Sequence, residues 1–218
     1  MAKKQYPDFS YETPLWEKGY GVIGIDEVGR GPLAGPVTLG AVCIGMPNMG
    51  TPESWLGLGI DDSKRVVEKR RTELAAYITS HALATAVADS SVEVINKKGI
   101  VGAIQEATLS CIRQIRLSVP SSVPLYVLCD AFTLPSLPEG IIGQEGIIKG
   151  DQKSCSIAAA SLIAKVSRDS YMKSLATAYP LYCWEENKGY GTQKHRDALK
   201  QYGITPHHRT LFVRSFLP

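Results

Sequence analysis

Gly24-Ile-Asp-Glu-Val-Gly-Arg-Gly-Pro-Leu-Ala-Gly-Pro36 (GIDEVGRGPLAGP) sets two adjacent carboxylates, Asp26 and Glu27, at the end of an apolar run and follows them with Gly29, Arg30 and Gly31. Residues 20–26 are short, β-rich and bounded by glycine, so they read as a strand, and residues 36–44 read as its neighbour. Negative charge placed against a core costs folding energy unless something offsets it. No basic residue follows the pair until Arg30, so the offset is expected from outside the chain.

Working outward, strands and helices alternate. A helix is expected over Lys64–Ile78, a third strand over Leu83–Asp89, and a helix over residues 99–117, where Ile100, Ile104, Ala107, Cys111 and Ile115 recur at helical spacing. Pro124-Leu-Tyr-Val-Leu-Cys-Asp130 reads as a buried strand ending on an aspartate, and residues 144–149 as a short strand running into Gly150-Asp151. Lys153–Ala178 is the clearest helix, with Ile157, Ser161, Ala164, Arg168, Tyr171 and Leu175 roughly in register. A last helix falls near Gln193–Tyr202. The fold class is α/β, a mixed sheet flanked by helices with a small C-terminal helical appendage. Gly19, Gly21 and Gly24 spell G-x-G-x-x-G, but they precede and enter a strand, whereas a dinucleotide fingerprint follows one.

The 218 residues, 44% of them hydrophobic and 21% charged, suffice for one large domain with an appendage. No run is long enough to span a bilayer, and the basic start MAKKQYPD lacks the apolar segment of a signal peptide, so a cytoplasmic protein is expected. The five cysteines are far apart with no C-x-x-C, which argues against a zinc site or a disulfide framework. Three of them lie in apolar runs and read as small core residues. Net charge is +3, but from Lys149 onward eleven Lys and Arg face five Asp and Glu. That imbalance fits a polyanionic partner, and equally a solvated surface.

Asp26 and Glu27 close the first strand, Asp130 closes a later one, and Asp151 stands where a strand turns into the long helix. Taken singly, Asp130 is a turn former and Asp151 a helix cap. Taken together, carboxylates collected at strand ends repel one another unless cations bind between them, and an oxygen-only donor set suits Mg²⁺ or Mn²⁺.

The segments G-I-D-E-V-G-R-G-P-L-A-G-P-V (24–37), D-D-S-K (61–64), V-L-C-D (127–130), K-G-D-Q-K-S-x-S-I-A-A-A-S-L-I-A-K-V-x-R-D (149–169) and N-K-G-Y-G-T-x-x-H (187–195) together resemble bacterial ribonuclease HII, from about Tyr20 to Phe212 and in that family's order. The resemblance implies an RNase H-like mixed sheet. It also implies hydrolysis of the RNA strand of RNA/DNA hybrids and incision 5′ of single ribonucleotides in duplex DNA, leaving 3′-hydroxyl and 5′-phosphate ends. Asp26, Glu27, Asp130 and Asp151 look like the family's catalytic, metal-binding carboxylates. Gly29, Arg30, Gly31 and Tyr190 resemble the parts that meet the ribose 2′-hydroxyl. Lys64, Lys149 and Lys153 are candidate phosphate contacts, with Lys165, Arg168 and Lys188 behind them. His195 is expected to make a structural hydrogen bond, and His207 and His208 have no catalytic role. Residues 1–19 are expected to form an N-terminal extension, 20–178 the catalytic domain and 179–218 a helical substrate-binding region, in a monomer whose tail from Thr210 touches a replication-clamp-like partner. The residues ahead of the first strand are too few for the extra domain of the sister ribonuclease HIII group, which carries glutamate where Asp151 stands. The rival readings are a resolvase-like nuclease acting on DNA and a noncatalytic nucleic-acid-binding module.

Overall fold

A computed structural model describes residues 6–45 and 52–216. Five strands, β1 (Gly21–Val28), β2 (Val37–Cys43), β3 (Ala84–Ser90), β4 (Leu125–Asp130) and β5 (Ile141–Ile147), form one sheet in the order β3-β2-β1-β4-β5. β2 runs antiparallel to β1 and β3, while β4 is parallel to β1 and β5, so the sheet is mixed. β1 is central and nearly all buried because helices cover both faces.

Side chains alternate along each strand with a period of two. Ile23, Ile25, Leu39, Ala41, Val127 and Cys129 therefore point to one face, beneath the helix α3 (Val92–Ser118). Val22, Val42 and Leu128 point to the other, against α4 (Cys155–Ala178) and α2 (Glu68–His81). Each fully buried Ile of these layers contributes about 1.5–3 kcal/mol. On the α4 face β1 carries Gly24 and β2 carries Gly40. A Cβ on Gly24 would lie 2.2 Å from the Ser156 carbonyl carbon, and one on Gly40 would lie 2.2 Å from the Ala160 carbonyl oxygen. Gly24 thus serves close helix-to-sheet packing, which accounts for the misleading glycine spacing.

Helix boundaries depart from the sequence expectation in instructive places. α2 begins at Glu68, not Lys64, because Asp62 Oδ1 accepts from Lys64 N at 2.9 Å and Asp61 Oδ1 accepts from Asp62 N at 2.9 Å. Short acidic side chains that bond local backbone compete with helix in this way. α3 starts seven residues before Gly99, capped by Ser91, and Gly99 at φ 74° breaks it into two pieces. The cap of α4 is Ser154, which accepts from Ile157 N at 3.3 Å, so Asp151 is not spent on capping.

The N-terminal segment, with the short helix α1 (Thr13–Glu17), packs on the start of α4. Buried Glu12 reaches that point: its Oε1 accepts from Ser154 Oγ (2.6 Å), Ser156 Oγ (2.6 Å) and Ser156 N (3.0 Å). Burial raises its pKa above the ordinary carboxylate value, against those hydrogen bonds. At the other end, α5 (Trp184–Asn187), α6 (Gln193–Tyr202) and α7 (Thr210–Val213) build a third core from Trp184, Leu199 and Val213, with Tyr182 of the turn before α5, against Met172 and Ala176 of α4. Cys43, Cys111, Cys129 and Cys155 are buried thiols, and Cys183 is half-buried. No described helix is long and apolar enough to cross a membrane.

Candidate active site

The register of β1 and β4 pairs Ile25 with Cys129, so both strands reach their acidic residues, Asp26 and Asp130, at the same level. Both lie on the α4 face of the sheet, and the turn into α4 brings in Asp151. A cavity of about 270 Å³ opens there, lined by Asp26, Glu27, Gly29, Arg30, Gly31, Lys64, Asp130, Asp151 and Tyr190. Residues distant in sequence thus line one cavity. Val28, Ser63, Ser161 and Lys165 complete the lining. The two serines were not anticipated. Their signal was a hydroxyl embedded in each motif, D-D-S63-K and A-A-A-S161.

Asp26 is 5% exposed, and its Oδ1 accepts from Glu27 N at 2.7 Å. Burial, then the charge of Glu27, holds its pKa well above the ordinary aspartate value, with Asp130 and Asp151 adding and a hydrogen bond to Ser161 opposing. Burial also raises Glu27, against the pull of Arg30, whose Nη1 donates to Glu27 Oε1 at 3.1 Å. Glu27 Oε2 is buried without a hydrogen-bond partner. Asp130 Oδ1 accepts from Gly150 N at 2.7 Å. Asp151 is pushed up to about 6 by burial and by Asp62 and Asp130. Burial would lower Lys64, but the charges of Asp62, Asp151 and Asp26 prevail and raise it. Among the described residues, no three carboxylate, imidazole or thiol groups stand close enough to grip one ion in this conformation. Arg30 and the Gly150 amide draw two of the four carboxylates toward separate partners.

The glycine loop rests on two buried arginines. Arg168 is fully buried and donates to the carbonyls of Pro36 (3.0 Å), Lys188 (2.9 Å) and Ala34 (3.2 Å). It is a pillar beneath the loop, which removes it from the phosphate candidates. Arg209, unread in the sequence, donates to the carbonyls of Gly29 (2.6 Å), Arg30 (2.9 Å) and Gly35 (3.0 Å). Its signal was a lone arginine between a histidine pair and the apolar C-terminal stretch. Gly29 has φ +89°, and a Cβ there would sit 2.1 Å from Arg168 Nε, so glycine is required by the pillar under it. A Cβ on Gly31 would meet nothing within 4 Å, so that residue borders open space.

Tyr190 is 39% exposed and lines the cavity, with the Arg168 guanidinium 5.9 Å from its ring centroid. Its carbonyl lies 3.0 Å from Nδ1 of fully buried His195, whose Nε2 accepts from Trp184 Nε1 at 3.2 Å. His195 therefore orients the tyrosine segment, and burial holds its pKa below the usual histidine value. Lys165 lines the cavity but is paired with Asp169 at 2.7 Å, and Lys188 is turned to the Glu185 carbonyl. Lys149 and Lys153 do not line this cavity. They line a neighbouring one.

The family model described as Ribonuclease HII matches residues 23–216. A curated Ribonuclease HII of Halalkalibacterium halodurans is 45% identical over 211 residues, 96% of this chain and 72% of that protein. Among solved structures, RNase HII in the PCNA:RNase HII complex from Archaeoglobus fulgidus superposes with a TM-score of 0.67 at 26% identity, covering 87% of this chain and 93% of that one. Bst-RNase HIII in complex with Mn²⁺ shares the fold, with a TM-score of 0.66 at 20% identity over 90% of this chain and 63% of that one. With the family match spanning both the carboxylate strands and the tyrosine segment, the chain belongs to the ribonuclease HII family and is a nuclease with ribonuclease H activity.

Proposed function

We propose that the enzyme hydrolyses the RNA strand of RNA/DNA hybrids and incises duplex DNA on the 5′ side of a single embedded ribonucleotide, leaving 3′-hydroxyl and 5′-phosphate ends. The observation that carries this reading is that four carboxylates share one cavity with the Gly29–Gly31 loop and Tyr190. Cleavage chemistry and ribose recognition are thereby adjacent.

Asp26, Glu27, Asp130 and Asp151 would hold divalent cations, Mg²⁺ or Mn²⁺. The donor set is oxygen-only, Glu27 Oε2 is buried and unpartnered, and negative charge is in excess around Asp26. When bound, a pair of such ions supplies activation of the attacking water and neutralisation at the leaving 3′ oxygen. The chain's own residues do the positioning. The loop held by Arg168 and Arg209 and the hydroxyl of Tyr190 form the wall that meets the 2′-hydroxyl, the group by which a protein tells RNA from DNA. Lys64 contacts a phosphate at the rim. Residues 179–218 act as the substrate-binding region, since they deliver both Tyr190 and Arg209.

The archaeal relative's complex with PCNA supports a clamp contact through the tail from Thr210, where Leu211 is 65% exposed. Residues 217–218 lie outside the described residues.

The test is a duplex carrying one ribonucleotide, incubated with Mg²⁺, Mn²⁺ or a chelator. Incision 5′ of the ribonucleotide, only with a divalent ion and with the stated ends, is expected. Incision in chelator, or a 3′-phosphate product, would reject the metal mechanism. Melting is an independent check. Mg²⁺ should raise Tm by mass action. Asp130→Asn should raise the Tm of the metal-free protein, because the Asp130 charge acts on Asp26, Glu27 and Asp151. A gain of about 1 kcal/mol corresponds to about 2–4 °C at this chain length. A flat magnesium titration would show that the carboxylates are not clustered tightly enough to bind.

A further inference from the structure

Beside the catalytic cavity lies a larger one, about 550 Å³, whose lining includes Tyr6, Asp8, Tyr11, Arg65, Lys149 and Lys153 and none of the four carboxylates. Two loops form the wall between the cavities, and neighbouring residues on each loop face opposite ways. In the first, Lys64 lines the catalytic cavity and Arg65 the outer one. In the second, Asp151 lines the catalytic cavity while Lys149 and Lys153 line the outer one. Gln152 ties the loops together, its Nε2 donating to Asp62 Oδ2 at 3.3 Å.

The opposite wall is the N-terminal segment. It is fixed in place where Asp8 N donates to Lys153 O at 3.1 Å and Cys155 N donates to Asp8 O at 2.9 Å, with buried Glu12 clasping Ser154 and Ser156 behind it. Three cations therefore face one acidic side chain, Asp8, whose Oδ1 already accepts from Ser10 N at 2.9 Å. Arg65 is paired with Asp61 at 3.4 Å and remains 46% exposed. Lys149 and Lys153 make no ion pair among the described residues. A concave surface lined by unneutralised cations concentrates positive potential and attracts an extended anion.

We infer that this outer cavity is a second phosphodiester-backbone site, which grips the substrate strand away from the scissile phosphate as it passes over the shared loops. The occupant is a polynucleotide rather than a free phosphate or nucleotide, because the two loops that line the catalytic cavity with Lys64 and Asp151 also line this one with Arg65, Lys149 and Lys153, so a strand seated over the first has cations to meet in the second. The inference rests on the polynucleotide substrate proposed above, and it extends that reading by giving the N-terminal segment a role as one wall of the substrate channel.

The test is fluorescence anisotropy of a labelled, all-deoxy duplex in chelator, so that binding is read without cleavage, across a series of salt concentrations. Each lost phosphate contact flattens the slope of log affinity against log salt by about 0.9. The double variant Lys149→Gln, Lys153→Gln should therefore flatten it by nearly 2, and Lys153→Gln alone by about half as much. For the wild type, trimming the duplex on one side should reproduce that flattening and show which flank enters the cavity. Equal slopes for wild type and double variant, with unchanged melting curves, would overturn the inference. So would a wild-type slope insensitive to trimming on either side. If instead the slope changes as expected but no ribonucleotide-dependent cutting is found, the outer site stands and the proposed activity fails.

Discussion

Asp26→Asn is expected to lower turnover on a single-ribonucleotide duplex by about 10³-fold while the affinity for that duplex changes little. The substitution keeps the volume of a side chain that is 5% exposed, and Asn Oδ1 still accepts from Glu27 N. What it removes is one negative charge from a cavity whose other carboxylates press on the same position. Packing is therefore preserved while the capacity to hold a cation is reduced, so the loss should appear in kcat. The measurement pairs single-turnover cleavage with anisotropy on the same duplex. Cutting at the wild-type rate would show that Asp26 does not serve the reaction. Loss of binding in parallel with cleavage would mean that the residue supports the fold or the substrate surface instead. A noncatalytic binding module predicts no turnover in either protein.

The second large effect is discrimination against deoxyribose. An all-deoxy duplex should be cut about 10⁴-fold less efficiently than its single-ribonucleotide counterpart, since a site built to hydrogen-bond a hydroxyl is left with unpaired polar groups when that hydroxyl is missing. A 2′-methoxy substitution should fare no better, because it removes the hydroxyl donor and leaves its partner in the site unpaired. Tyr190→Phe should reduce the discrimination by about tenfold, the worth of one hydrogen bond. Comparing kcat/KM across the three duplexes decides between this reading and a resolvase-like nuclease. Equal cutting of all three would select the latter.

Much of the site was legible because its residues sit where regular structure ends. An aspartate closing an apolar strand leaves a mark in a linear pattern, and two such marks, with a third aspartate at the turn into the long helix, pointed to the cavity that Asp26, Asp130 and Asp151 share. The start of α2 was not legible. Asp61 and Asp62 divert the backbone by bonds to their own neighbours, a local competition that propensity alone reads as the first turn of a helix. Gly29 was legible as a glycine but for an incomplete reason. Its missing Cβ makes room for Arg168, which lies far along the chain and underneath the loop.

The arginines mark the limit most clearly. Arg168 stands among the weaker phosphate candidates and Arg209 went unread, yet both are fully buried and spend their donors on the carbonyls of the glycine loop. The lysines show the converse, since Lys149 and Lys153 flank Asp151 in sequence but face another cavity. From the sequence alone came the alternation of elements, the acidic strand ends and the family resemblance, all of which depend on short-range periodicity and local motif. Tertiary structure decided which charges are buried, which loop carbonyls they satisfy and into which cavity each side chain opens. Those outcomes depend on packing between segments more than a hundred residues apart, and no local pattern records it.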